Sequence, residues 1–150
     1  MATSDTKIRP IAETERIDPE VLKRLEEAQR TPIYETNRAG TALYLGGLVD
    51  NDTFVDPKNA HKLLKRMDEI EDPNAAKPGD FVAWRRFLPH GRKMLLDIGL
   101  VISDDLIAYR DTFGKIVIEP LLNAHHKNEY GADELKILSR DKRSAKSSKV

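Results

Sequence analysis

The chain has no cysteine, which removes disulfides, thiolate metal ligands and a cysteine nucleophile together. Aromatic residues are few, 6% with a single Trp. No apolar run approaches the roughly 20 residues that a membrane-spanning helix needs. Net charge is also missing. The 25 Lys and Arg balance 25 Asp and Glu, so the chain as a whole has no bias toward nucleic acid or anionic lipid. The opening segment, MATSDTKIRPIAETER, is polar and lacks the apolar stretch of a secretory signal. These absences lead us to expect a cytoplasmic protein without a membrane partner.

What remains suits a single small domain. At 150 residues the chain can bury a sizeable core, and its charged share of 33% fits a well-solvated surface. We expect residues 1–16 to be a flexible N-terminal segment and 17–138 to be one domain. Residues 139–150 carry five Lys or Arg against one Asp and read as a disordered basic tail.

The first half has helix signals. In IDPEVLKRLEEAQ, Asp18 can cap, Pro19 suits the first helical position, and Val21, Leu22, Leu25 and Ala28 form an apolar stripe. NRAGTALYLGG opens on a capping Asn37, is rich in small residues and stops at Gly46-Gly47. That composition predicts close packing and a left-handed exit. VDPKNAHKLLKRMDEI repeats the Asp-Pro start, and Ala60, Leu63, Leu64, Met67 and Ile70 keep a helical period.

The second half changes to strands. GDFVAWRRFL, KMLLDIGLVI, DLIAYR and KIVIEPL are rich in β-branched and aromatic residues. Their short links, Ser103-Asp104-Asp105 and Thr112-Phe113-Gly114, leave no room for parallel crossovers and predict an antiparallel meander. Leu135, Ile137 and Leu138 suggest a last docked element. The fold class is α+β, with N-terminal helices packed on a small, strongly bent antiparallel sheet or half-open barrel.

Three words in order carry a family resemblance. RAGTALYLGG is a small-residue helix start, KPGDFVAW (residues 77–84) is a Pro-Gly-Asp entry into a strand, and DIGLVISDDLIAY (97–109) is a hydrophobic-Gly pair running into a hairpin. Over residues 34–122 this order resembles the NlpC-type cysteine peptidases and amidases, which share the papain-like fold. The resemblance implies that a nucleophilic Cys would open the first of these helices and that a His would precede the Gly-containing strand segment. Here the first position holds Arg38, or Ala39 if the alignment moves by one residue, and the second holds Asp97. The resemblance therefore implies a catalytically silent member acting as a binding or regulatory module, with Tyr109 as a cleft neighbour. Its partner would be a protein or small ligand, and no cofactor is expected.

The chemistry of the two positions is informative. A helix N-terminus lowers the pKa of a thiol, but it disfavours a cation by about 0.3–1 kcal/mol. Arg38 therefore needs a compensating anion. Asp97 is the natural candidate, and the two groups could meet as a bidentate pair. The bland alternative has Arg38 in water and Asp97 capping a bulge. Strand alternation places Leu95, Asp97, Gly99 and Val101 on one face, with Leu96, Ile98, Leu100 and Ile102 on the core face. The Asp97 face is either a cleft wall or simply half exposed, and Gly99 leaves room for another group to approach.

Two other functions stay open. One is a hydrolase of another type, using Asp97 with a histidine. The other is an SH3-like barrel that binds protein or nucleic acid through a basic aromatic patch of Trp84, Arg85, Arg86, Arg92 and Lys93. The same patch also suits a charged edge strand. His61 is expected near the surface, His90 in a loop, and His125-His126 after the sheet. None has zinc-site spacing, so no metal is expected.

Overall fold

The computed structural model describes residues 17–111, 113–121 and 132–140. The expected flexible segment at 1–16 lies outside these residues, as do His125-His126 and residues 141–150 of the expected tail. Ser139 ends a strand and is fully buried, so the domain extends past the expected limit of 138.

Helix α1 (Pro19–Arg30) starts as the sequence implies. The Asp18 side chain accepts from the Glu20 amide at 2.8 Å, and Leu25 and Ala28 are buried. Helix α2 (Arg38–Leu45) is capped by Asn37, whose Oδ1 accepts from the Gly40 amide at 2.7 Å. It leaves through Gly47 at φ +77°. Helix α3 (Pro57–Leu64) is shorter than its periodicity suggests. Ile70, counted in that helical stripe, instead belongs to strand β1 (Asp68–Ile70). Here pairing with a distant strand overrides the local helical period.

Strands β2 (Phe81–Phe87), β3 (Lys93–Val101), β4 (Leu106–Arg110) and β5 (Ile116–Pro120) form the expected antiparallel meander. β6 (Glu134–Ser139), the expected last element, lies on the far side of β2 and brings β1 with it. The sheet order is β1-β6-β2-β3-β4-β5, six antiparallel strands that do not close into a barrel. β2 is thus an inner strand. An edge strand does not explain its charges.

Each sheet face carries an apolar core. Phe81, Ile98, Leu100, Leu106, Ala108 and Leu138 join Ala28, Ala42, Leu43 and Leu64 in a helix-side core. Val82, Trp84, Val101, Ile107, Tyr109 and Ile137 form a second core. The alternation expected for β3 fails in its first half. Trp84 pairs with Asp97 but Arg85 pairs with Leu95, so Leu96 is an extra residue in a β-bulge. Leu95 consequently packs with Ile98 in the helix-side core, and Leu96 turns to the other.

The Pro-Gly-Asp word has a defined mechanical role. Gly79 takes φ +97°, Asp80 Oδ2 accepts from the Lys77 amide at 2.8 Å, and the Asp80 carbonyl accepts from the Val101 amide at 2.8 Å. The turn therefore fixes where β2 begins against the end of β3.

One buried guanidinium joins the helices to the sheet. Arg110 Nε donates to Thr41 Oγ1 at 2.6 Å, one Nη donates to the Gly114 carbonyl at 2.7 Å, and the other donates to the Ala28 carbonyl and Asp52 Oδ2, both at 2.9 Å. Thr36 and Thr41 donate to Asp52 Oδ1 at 2.5 and 2.7 Å. Arg110 and Asp52 side chains are each 4% exposed.

Three variants test this packing. A Cβ on Gly40 would stand 1.8 Å from the Thr53 carbonyl oxygen. Gly40→Ala should therefore cost about 1–3 kcal/mol or more in denaturant unfolding. Arg110→Met should cost about 3–5 kcal/mol, because it leaves the Asp52 carboxylate buried without its counter-charge. Adding Asp52→Asn should recover part of that loss.

Candidate functional site

The N-terminus of α2 is anchored from outside the helix. Besides capping, Asn37 Oδ1 accepts from the Val55 amide at 3.1 Å, and its Nδ2 donates to the Val55 carbonyl at 2.7 Å. Gly40 lets the Thr53 backbone lie against the helix. These contacts aim Arg38, the first helical residue, across the sheet toward β3.

There Arg38 Nε stands 4.0 Å from Asp97 Oδ2. The Asp97 side chain is 0% exposed and that of Arg38 is 36% exposed. Asp97 Oδ1 accepts from the Ile98 amide at 2.8 Å. The two residues therefore meet as the sequence suggested. At this separation the contact is a Coulombic ion pair outside hydrogen-bond range, not a bidentate fork. It places an anion beside the positive end of α2, and it gives a buried carboxylate a nearby cation. Ala39, the alternative position, is buried in the helix-side core.

A cleft of about 410 Å³ opens beside Arg38, between the start of α2 and the β4–β5 turn. Asn37, Arg38, Arg110 and Asp111 supply its polar lining, and Ile33 and Phe113 its apolar lining. Ile33 and Phe113 are well exposed, at 61% and 74%. Tyr109, expected as a cleft neighbour, is not among the lining residues. It is 2% exposed, its ring lies 5.2 Å from that of Trp84, and its hydroxyl donates to Glu119. β4 alternation explains the difference. Arg110 faces the helices, so Tyr109 must face the second core. The room left by Gly99 is filled by Tyr109 itself, whose Cβ would lie 3.1 Å from a Cβ added there.

The expected basic aromatic patch is divided. Trp84 is 3% exposed in the second core and cannot offer its ring to a base or a partner. Arg85 is buried, while Arg86, Arg92 and Lys93 are exposed. Arg85, Arg92 and Lys93 line a separate cavity of about 550 Å³ together with His61 of α3. Burial, followed by the charges of Arg85 and Lys65, holds the His61 imidazole below its ordinary 6.5. His90 lies in the β2–β3 turn at φ +65°.

Sequence reading missed Arg110, Asp52, Ile33 and Phe113. Arg110 gave a usable signal, a lone guanidinium ending the apolar run LIAY. Asp52 gave none, since it is one acid in a polar loop. Among the described residues no helix is long and apolar enough to cross a membrane, and no group of three or more His, Asp and Glu is placed to hold a metal ion. No protein-family model and no curated protein matches the chain.

A double-mutant cycle measures the central contact. Arg38→Ala, Asp97→Ala and the double variant should give a favourable coupling of about 0.2–1 kcal/mol, smaller at high salt, because one partner is partly exposed. Additive losses would show that the two side chains do not interact.

Proposed function

We propose that the chain is a catalytically silent binding module of the NlpC type, built on a bent, half-open version of the papain-like sheet. The observation carrying this reading is the approach of Arg38 to Asp97. At the helix start and the strand position where the resemblance would place a Cys and a His, the chain carries a cation and an anion whose Nε and Oδ2 approach to 4.0 Å, which supports the reading. No thiol is available anywhere in the chain. The neighbouring cleft supplies a partly exposed guanidinium beside two exposed apolar side chains. Such a surface suits a small ligand or peptide end bearing a carboxylate and an apolar group.

The kinship can be tested by reinstalling the lost couple. Because the protein has no other cysteine, alkylation by iodoacetamide reports only on a thiol introduced by Arg38→Cys. Adding Asp97→His should increase the reactive thiolate near pH 6 by about tenfold, corresponding to a one-unit fall from a free thiol pKa of about 8.5. In the isosteric control, Arg38→Cys with Asp97→Asn should react faster than Arg38→Cys alone, since it loses a neighbouring negative charge. Equal rates in all three variants would refute the proposed equivalence. For binding, N-acetylated dipeptides with a free carboxylate should shift the backbone amide signals of residues 37, 38, 111 and 113 in the intact protein. Persistence of those shifts in Arg38→Ala would refute the cleft's role.

A further inference from the structure

The cavity between α3 and the β2–β3 turn has a chemical character of its own. Its cationic lining comes from Lys65 after α3, Arg85 on β2, Arg92 in the turn and Lys93 at the start of β3. Glu69 of β1 is the acidic residue in this lining. Glu134 of β6 lies behind, 3.4 Å from Arg85 Nη and 3.1 Å from Lys93 Nζ. Lys136 approaches Glu69 at 3.9 Å. The acids are thus already engaged by cations, and the cavity keeps a positive excess.

Two polar atoms there are unusual. Arg85, whose side chain is 6% exposed, directs Nη toward Glu69 and Glu134, yet its Nε is buried without a hydrogen-bond partner. His61 Nδ1 is likewise buried without one. Buried polar atoms are ordinarily satisfied, and two orphans on residues lining one basic cavity suggest a missing acceptor. Leu64, Met67, Leu88 and Leu138 complete the lining with apolar surface. At about 550 Å³ the space is of small-molecule size.

The geometry points to a binding site for a small organic anion, a phosphate monoester with an apolar body. The charged head would sit among Arg85, Arg92, Lys93 and His61, and the body would lie along Leu64, Met67 and Leu88. A tetrahedral phosphate provides several acceptors for donors converging from α3, β2 and the turn. The apolar lining favours a compact organic phosphate over a nucleic-acid backbone, whose binding would need an open cationic track. This inference uses residues separate from the Arg38 cleft and stands without the NlpC reading.

Phenyl phosphate titrated into the full-length protein is the test, read by calorimetry and by NMR of the His61 imidazole, with inorganic phosphate, benzoate and a short single-stranded RNA in parallel. Phenyl phosphate should bind and raise the apparent pKa of His61, since the bound anion offsets Arg85 and Lys65. Arg92→Ala and Lys93→Ala, both at exposed positions, should each weaken binding by about two- to fivefold with the unfolding midpoint checked in parallel. Inorganic phosphate should bind more weakly than its phenyl ester, and benzoate more weakly again. The inference is overturned if phenyl phosphate fails to bind, if its affinity is unchanged in the Arg92→Ala/Lys93→Ala double variant, if free phosphate binds equally well, or if only the RNA binds.

Discussion

The position of α2, and of everything built at its start, depends on the satisfaction of one buried guanidinium. Arg110 sits on β4 within an apolar core, where an ion survives only if its donors are engaged and its charge is balanced. Its described hydrogen-bond partners include groups from four separate segments: the end of α1, the middle of α2, the loop holding Asp52, and the β4–β5 turn. No one of these can move without stranding a charged donor. Thr41, one of the partners, lies three residues after Arg38, so the network that fixes the helix also directs Arg38.

A second constraint is steric. Gly40 within α2 and Gly46 at its C-terminal cap are packed so closely that side chains there would meet the Thr53 backbone and the Phe81 ring. The intimate seating shortens the distance between helix and sheet, which allows a residue at the helix start to reach an aspartate buried in β3. Charge and shape act together, since the Arg110 hydrogen bonds set the helix position and the glycines set its depth.

Much of the architecture was legible because local signals agreed. Asp18-Pro19, Asn37 and Asp56-Pro57 start helices where the backbone needs acceptors, and tight links between apolar runs permitted only an antiparallel meander. The failures have a common origin in long-range pairing. Ile70 fits a helical stripe, yet it is drawn into a strand by β6, some seventy residues away in sequence. Tyr109 and Trp84 looked like accessible aromatics because nothing local announces a sheet buried on both faces. Of the site, the meeting of Arg38 with Asp97 could be inferred, but the cleft could not. Its apolar walls come from Ile33 and Phe113, residues far apart in sequence whose proximity exists only after folding.

The bulge at Leu96 has a consequence for comparing this chain with others. Apart from Asp97 the segment from Met94 to Ile102 is apolar, yet the inward and outward roles exchange partway along. An alignment guided by apolar pattern alone will slip by one residue across that point, and will assign the aspartate's structural counterpart to the wrong neighbour. Superposition of the paired backbone is the appropriate guide there, because hydrogen-bond register counts the extra residue and hydrophobicity does not.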